Sequence, residues 1–215
     1  MEPNLSQGFY QGSWAYDHTQ IRTNFLSKAD FSPAELDMIC NRLQAKKIKK
    51  RRTLFNAGSI PQYVVYVNKG LLRMFSTEAD GIERTIDLAI EDTWLADLEA
   101  LYERKSASVS IEALEDAEVF MLHHDDIQYL HQQIPALVNF SRLHAEEKFN
   151  NAMKRLQTMN HPGYTAEQRV TFFENIYPSL TNRVPSNIIA SFLGFSAETY
   201  SRIKRSRMNN KGGNV

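Results

Sequence analysis

The sequence has a single cysteine, Cys40, among its 215 residues. One thiol cannot form an internal disulfide, and it leaves too few ligands for a zinc knuckle or an iron–sulfur cluster. The sequence has no apolar run near the roughly 20 residues that span a bilayer. Its N-terminus also lacks the basic start and apolar stretch of a secretory signal. We therefore expect a cytoplasmic protein that makes no membrane contact and carries no cofactor.

The signatures of common enzymes are also missing. The sequence contains no glycine-rich phosphate loop and no serine elbow. The run His123-His124-Asp125-Asp126 resembles a set of metal ligands. Adjacent residues at a strand end point in opposite directions, however, and the two aspartates are suitable caps for the helix that follows. We predict neither a catalytic site nor a metal site.

The formal net charge is zero, but the charges are unevenly distributed. Residues 202–211 contain basic side chains and no acidic one, whereas residues 91–118 are rich in acids. A basic C-terminal end suggests a nucleic-acid partner. A second basic run, residues 46–52, favours a solvated edge strand, because lysines blunt the edges of sheets. A nucleic-acid patch is the alternative interpretation of that run.

Hydrophobic patterning divides the chain into three predicted domains. Residues 1–134 begin with a short helix capped by Ser32 and continue as closely spaced β-type runs, which implies an antiparallel sandwich or roll. The dipeptide Asp80-Gly81 favours a hairpin within this domain. Residues 135–160 form one long helix, which begins at a proline suited to a first helical turn. Residues 161–215 form a small helical domain, so the overall fold class is α+β.

The long helix carries a second signal, a near-heptad spacing of apolar residues. Such a stripe indicates a dimer-forming helix, although it could instead pack on the chain's own β-domain. The candidate dimer-helix residues are Val138, Ala145, Phe149, Ala152 and Leu156.

A helix-turn-helix is predicted over residues 184–207. Pro185 fits a first helical turn, Gly194 fits the tight turn between the two helices, and Ser196 is a good N-cap for the second helix. The basic end without acids favours DNA binding over a capped helical hairpin with a solvated face. The candidate base-reading residues are Ala197, Glu198, Ser201 and Arg202, and the candidate phosphate contacts are Ser196, Thr199, Lys204, Arg205 and Arg207.

The run IASFLGFSAETYSRIKR, residues 189–205, resembles the helix-turn-helix signature of Crp/Fnr-type regulators. The run FNAGSIPQYVVYVNKGLLRMF, residues 55–75, resembles the entry to their β-roll, so the similarity extends over nearly the whole chain and is greatest to Bacteroidetes-type members. The resemblance implies a double-stranded β-roll of the cyclic-nucleotide-binding type, a long connecting helix and a winged-helix-type DNA-binding domain. The short sequence after Arg207 implies a reduced wing.

The resemblance also implies an effector pocket in the roll. Its positions in this sequence are Asp97, Ala107, Ser108, Ala152 and Met153. Asp97 could accept a ribose hydroxyl, but Ala107 stands where the cyclic-AMP-responsive branch has an arginine, and alanine cannot neutralise a phosphate. Arg104 or Lys105 could substitute for that arginine if the loop shifted. We expect an unidentified small ligand or none, and not cyclic AMP.

We therefore predict a homodimeric, sequence-specific transcription regulator that binds palindromic double-stranded DNA and is not an enzyme. RNA polymerase and an unknown small-molecule effector are its candidate further partners. The alternative function is a ligand-binding module that acts through a protein partner rather than DNA.

Overall fold

The computed structural model describes residues 16–212, with side chains through residue 208. The elements in chain order are α1 (Thr19–Leu26), α2 (Pro33–Cys40), β1 (Gln44–Ile48), β2 (Thr53–Phe55), β3 (Tyr63–Lys69), β4 (Leu72–Thr77), β5 (Glu83–Ala89), β6 (Thr93–Leu95), α3 (Leu98–Glu103), β7 (Ser110–Ala113), β8 (Ala117–His123), α4 (His124–Gln133), α5 (Pro135–Asn160), α6 (Ala166–Ile176), α7 (Ser186–Phe192) and α8 (Ala197–Gly212). Within the described residues, no helix is both long and apolar enough to cross a membrane.

The strands form two four-stranded sheets, in the orders β1-β8-β3-β6 and β2-β7-β4-β5. The pairings of β8 with β1 and β3, of β3 with β6 and of β2 with β7 are antiparallel. Gly70 turns the chain from β3 to β4 at a φ of 95°, and a Cβ there would lie 2.7 Å from the carbonyl oxygen of Asp116. Only glycine fits this turn. The predicted antiparallel β-roll is confirmed.

The core of the roll is aromatic. Phe25 lies at its centre, with its ring centroid 4.7 Å from that of Phe140 and 5.7 Å from that of Trp94. The same cluster includes buried side chains from α1, α2, β3, β8 and α4. The predicted N-cap Ser32 is confirmed, since its hydroxyl accepts from the backbone N–H of Glu35 in a capping box.

Helix α1 was not predicted from the sequence, and a buried polar network holds it in place. The side chain of Asn24 donates to the carboxylate of Asp92 over 2.9 Å and accepts from the Trp94 indole N–H over 2.9 Å. The hydroxyl of Tyr66 donates to the same carboxylate over 2.7 Å. Burial and this hydrogen bond raise the pKa of Tyr66. Each buried polar group of the network therefore has a partner, as a stable core requires.

The chain divides into two compact units that differ from the three predicted domains. The first unit comprises residues 1–73 and 88–143, and the second comprises residues 74–87 and 144–215. The division falls inside α5 because Leu137 and Phe140, near the start of this helix, are buried in the aromatic core. The predicted boundary at residue 135 coincides with the start of α5 rather than with the limit of a compact unit.

The second unit includes a β-hairpin that precedes α5 by many residues in the sequence. Within this unit the hydroxyl of Ser191 on α7 accepts from the backbone N–H of Thr85 over 2.9 Å and donates to the backbone carbonyl of Glu83 over 3.1 Å. The guanidinium of Arg155 on α5 donates to the carbonyl of Ile86 and lies 4.4 Å from the ring centroid of Phe192. Helices α7 and α8 thus share one compact unit with residues 74–87.

Two local predictions need correction. Helix α8 continues through Gly212, so residues 197–212 are helical and leave no strand in this described part for the reduced wing that we expected. The N-cap of α4 is His123, whose ring nitrogen Nδ1 accepts from the backbone N–H of Asp125 over 3.1 Å. Asp125 and Asp126 lie instead in the first turn of that helix, where acidic side chains interact favourably with the positive end of the helix dipole.

Candidate nucleic-acid interface

Helix α7 is the first helix of the motif, and its inner face is apolar. Ile189 and Phe192 are buried in the second unit, and Pro185 is the N-cap residue directly before the helix. The turn after α7 passes through Gly194 at a φ of 72°. A Cβ on Gly194 would meet only the sulfur of Met159 at 3.8 Å, so the backbone conformation, not lack of space, favours glycine there. The predicted helix-turn-helix geometry is present.

Helix α8 begins with a side-chain cap at Ser196. The hydroxyl of Ser196 accepts from the backbone N–H of Thr199 over 3.2 Å, as the sequence predicts. Hydrogen bonds from the backbone N–H of Glu198 and from the Ser196 side chain lower the pKa of Glu198. Glu198 is therefore ionised at neutral pH, and an ionised carboxylate can only accept hydrogen bonds.

One face of α8 packs inward and the other is open. Tyr200 is 2% exposed and forms the inner face with half-buried Ile203. The predicted base-reading residues lie on the outer side: Ala197, Glu198 and Arg202 are exposed, and Ser201 is half-buried. Positions 198 and 202 are one helical turn apart, so the structure brings an anion and a cation together on one accessible surface.

Three predicted DNA-contacting cations on α8 are exposed. They are Arg202, Lys204 and Arg205, and none has a carboxylate partner within residues 16–208. Three unpaired positive charges along one helix create a local positive potential that suits a polyanion. Arg207 differs from these three residues.

Arg207 connects α8 to α6. Its guanidinium forms ion pairs with Glu167 at 3.3 Å and Glu174 at 2.7 Å, and it also donates to Thr171 Oγ1 over 2.6 Å. A phosphate contact would have to break these bonds. Arg207 therefore ties α8 to α6, and its predicted phosphate contact stays a prediction.

The predicted dimer stripe on α5 is open to solvent. Phe149 is 64% exposed, Leu156 48% and Val138 47%, and the alanines at 145 and 152 are exposed as well. Each of these side chains keeps surface that a partner could cover, and the dimer interpretation of the stripe stays a prediction. An apolar row of this length on a helix surface is typical of an association site.

The predicted effector positions have local structural partners. Asp97 caps α3 by accepting from the backbone N–H of Ala100 over 3.1 Å. Ala107 is buried, and its backbone N–H and carbonyl bond Ser59 and Gly58, each over 2.8 Å. Ser108 is exposed in the first unit, and Ala152 and Met153 are exposed on α5 in the second.

Neither candidate replacement for the missing arginine is unpaired. Arg104 donates to Asp125 over 2.8 Å, and Lys105 pairs with Glu99 at 2.5 Å and Glu103 at 2.9 Å. The carboxylates of Glu99 and Glu103 raise the pKa of Lys105. A shift of the loop toward a phosphate would break these ion pairs.

Sequence reasoning missed two residues of the second unit, Ser191 and Arg155. Ser191 is a hydroxyl flanked by the buried residues Ala190 and Phe192, and Arg155 interrupts the apolar stripe of α5. Burial lowers the pKa of Arg155. A polar side chain within an apolar pattern was the signal that could have identified both residues. The sequence does not show their partners, however, because these lie far away in the chain, at residues 83–86.

Residues 45–133 match the family model of the cyclic nucleotide-binding domain. A cyclic AMP receptor protein of Thermus thermophilus is 24% identical over 178 residues, which cover 80% of each chain. The structure of FixK2 from Bradyrhizobium japonicum superposes with a TM-score of 0.67 at 17% identity, covering 79% of this chain and 86% of that one. A transcriptional regulator of the Crp/Fnr family from Eubacterium rectale gives a TM-score of 0.65 at 19% identity, covering 84% and 85% of the two chains.

Residues 45–133 are thus similar to a cyclic nucleotide-binding domain, and the chain has the fold of the Crp/Fnr-family regulator. The domain match supports the resemblance seen in residues 55–75, and the fold agrees with the resemblance seen in residues 189–205.

Proposed function

We propose that this protein is a Crp/Fnr-type transcription regulator, which acts as a homodimer and binds specific DNA sequences in the cytoplasm. The observation that carries the proposal is the outer face of α8, where exposed Glu198 and Arg202 lie one turn apart and next to the unpaired cations Lys204 and Arg205. A helix of this kind fits the major groove, with its N-terminal residues against base edges.

The outer residues of α8 have distinct chemical tasks. Arg202 donates two hydrogen bonds to O6 and N7 of a guanine, and Glu198 accepts from the N4 amino group of a cytosine. Ser201 adds a single hydrogen bond, and Ala197 contributes only an apolar contact. Lys204 and Arg205 bind phosphates and supply affinity without sequence choice.

The hydroxyl groups at the start of α8 have a separate role. The backbone N–H groups around Ser196 and Thr199 lie at the positive end of the helix dipole, which favours a phosphate there. The two hydroxyls bond each other over 3.2 Å, so they also hold the first turn of the helix in shape. Both residues stay in the proposed phosphate-contacting set.

Two matched variants test the assignment of base and phosphate contacts. Binding sites are first selected from a random DNA library, and affinities are then measured by fluorescence anisotropy. Arg202→Ala is expected to lose roughly 5- to 150-fold in discrimination at one base pair of each half-site. Arg205→Ala is expected to weaken binding to all sequences alike and to reduce the slope of log affinity against log salt by about 1. Unchanged base preference in Arg202→Ala would refute the assignment.

The same assay separates this function from the alternative, a ligand-binding module that acts through a protein. Binding to DNA weakens steeply and log-linearly with salt, because phosphate contacts release counterions. If no sequence is enriched over the library and binding shows no such slope, the protein-partner function is favoured. A palindromic enriched site would support both DNA recognition and the dimer. Contact with RNA polymerase stays a prediction.

We also propose that cyclic AMP is not the effector. Ala107 is buried and bonded through its backbone, Asp97 is occupied as a helix cap, and Arg104 is paired with Asp125. Arg104 and Lys105, the two candidate replacements for the missing arginine, are both paired with carboxylates, so neither is free to neutralise a cyclic phosphate. Cyclic AMP is expected to leave the DNA affinity unchanged in the anisotropy assay. A tightening that saturates with cyclic AMP would contradict the proposal, and a panel of other small molecules tests for a different effector.

A further inference from the structure

A groove lies between α6 and α8, within the second compact unit. Its volume is about 480 Å³, which falls in the range of roughly 300–1,000 Å³ that small-molecule sites occupy. The lining includes Val170 and Glu174 from α6 and Tyr200, Ile203, Lys204 and Met208 from α8. The groove is therefore formed in part by the helix that we propose to read DNA.

Most of the lining surface of this groove is apolar. Val170 is buried, Ile203 is half-buried, and Met208 is 60% exposed. Methionine is flexible, so its side chain adapts to the shape of an apolar partner. Because apolar surface gains free energy when it is covered, the groove favours an occupant with an apolar body.

Tyr200 gives the groove a polar group without a partner. The residue is 2% exposed, and its ring lies 6.4 Å from that of Phe195, but its hydroxyl has no hydrogen-bond partner among the residues that the structure describes. Burial and the nearby carboxylate of Glu174 raise the pKa of Tyr200, so the hydroxyl is protonated at neutral pH and can donate. Buried tyrosine hydroxyls usually have a partner, so this one points to a hydrogen-bond acceptor that enters the groove.

The charges of the groove favour an anion. The guanidinium of Arg207 is occupied, because it pairs with Glu174 at 2.7 Å and with Glu167 at 3.3 Å. The ammonium of Lys204 has no carboxylate partner in the described part of the chain. Lys204 follows Tyr200 by four residues, so the unpaired cation and the unpaired hydroxyl share one face of α8. A single carboxylate can pair with the ammonium and accept from the hydroxyl at the same time.

We propose that the groove between α6 and α8 binds a small organic acid, whose carboxylate pairs with Lys204 and accepts the hydrogen bond of Tyr200. The apolar body of the acid lies against Val170, Ile203 and Met208. A protein segment is the less suitable occupant, because a stable protein interface covers about 800 Å² on each partner, far more than a groove of this size offers. A second copy of the chain is also disfavoured, because the unpaired cations of the two α8 helices would repel each other.

Calorimetric titration of the full chain with octanoate and naphthoate tests the site, and octanamide and naphthamide serve as uncharged counterparts of the same shape. The variants Tyr200→Phe and Lys204→Gln each remove one proposed contact. The matched controls are Tyr164→Phe and Lys154→Gln, which make the same changes in the same unit at residues outside the groove lining. The melting temperature of every variant is measured alongside.

We expect at least one of the acids to bind saturably with a dissociation constant below about 1 mM, and its amide to bind roughly tenfold more weakly. Tyr200→Phe and Lys204→Gln are each expected to weaken binding of the acid roughly tenfold, whereas the controls bind it like the wild type. Since the hydroxyl of Tyr200 has no partner in the described part of the fold, Tyr200→Phe should leave the melting temperature unchanged. A hydroxyl with a merely structural role would lower the melting temperature and leave the affinity for the acid as it was.

Three results would overturn the inference. The first is equal affinity for acid and amide, and the second is equal affinity in variants and controls. The third is that neither acid binds: a weaker self-association of Met208→Ser in sedimentation equilibrium would then identify a second copy as the occupant, and saturable binding of an acidic amphipathic peptide would identify a protein segment.

The effect of a bound acid on DNA rests on the proposed function. A carboxylate paired with Lys204 occupies a cation that we assign to a DNA phosphate, so the acid is expected to weaken operator binding and to reduce its salt slope by about 1. If the proposed function is wrong, the acid still binds and Tyr200→Phe still weakens it, but no selected operator is bound. If only the groove site is wrong, operator binding and its dependence on Arg202 persist and the acids have no effect.

Discussion

Replacing Phe149 and Leu156 by alanine should dissociate the proposed dimer. These side chains are 64% and 48% exposed in one chain, so about half of the surface of each remains to be buried against a second copy. Full burial of such a side chain is worth about 1.5–3 kcal/mol, so half of it contributes roughly 1 kcal/mol. Two residues in each of two protomers together give about 4 kcal/mol, which corresponds to a roughly thousandfold weaker dimer.

Sedimentation equilibrium over a range of protein concentrations measures this dissociation constant directly. The control variant is Leu26→Ala/Ile60→Ala, which removes side chains of similar size and exposure, 51% and 55%, from other surfaces of the chain. The control is expected to dimerise like the wild type. Equal dissociation constants for the two variants, or a wild type that is monomeric at the concentrations of DNA binding, would refute the role of the α5 stripe.

Three further predictions concern the stability of the roll. Asn24→Ala leaves the Trp94 indole N–H without its acceptor, so we expect the free energy of unfolding in urea to fall by about 1–3 kcal/mol. A loss below measurement error would show that the network is dispensable. Gly70→Ala places a Cβ 2.7 Å from the carbonyl oxygen of Asp116 at a positive φ and should cost at least about 1–3 kcal/mol, measured as a lower melting temperature; an unchanged melting temperature would contradict the close approach. Burial lowers the pKa of His131 below its ordinary 6.5, so the folded state favours the neutral ring. This preference stabilises the fold fully above about pH 6.5. The stabilisation is lost as the pH falls from there toward the lowered pKa of the folded state. His131→Gln should therefore weaken the dependence of unfolding free energy on pH between 7.5 and 5.5, and an identical dependence in wild type and variant would exclude this origin.

The helix-turn-helix was predictable because its signals are local. The apolar face of α7, the glycine at 194 and the hydroxyl at 196 lie within a few residues of one another, and each acts through backbone geometry that depends little on distant structure. The strands of the roll were predictable for the same reason, since alternation and turn residues are properties of short segments. Helix α7 and the start of α8 lie where the sequence predicts them, whereas α8 continues to Gly212, five residues beyond the predicted motif.

The remaining features depend on partners that are distant in the sequence. Arg207 looked like Arg205 in the sequence, yet it is paired with two acids on α6, which lie 40 and 33 residues earlier in the chain. Helix α1 is held by Asp92, which lies far along the chain. Asp97 was assigned to a ligand pocket by resemblance, whereas its carboxylate caps a local helix. A sequence pattern identifies which groups are polar, but not which partner satisfies them.

The hydroxyl of Ser191 bridges two backbone groups of the hairpin at residues 83–85, so the compact unit that holds α7 and α8 is assembled from two separate stretches of sequence. A fragment beginning at residue 144 would contain every residue of the helix-turn-helix and would still lack part of its own folding unit. In such a fragment Ser191 would lose both of its hairpin partners, and Phe192 would keep Arg155 without the carbonyl that orients it. Grafting this helix-turn-helix unit onto another protein would therefore require moving two segments, so the unit is harder to exchange than the C-terminal position of α7 and α8 suggests.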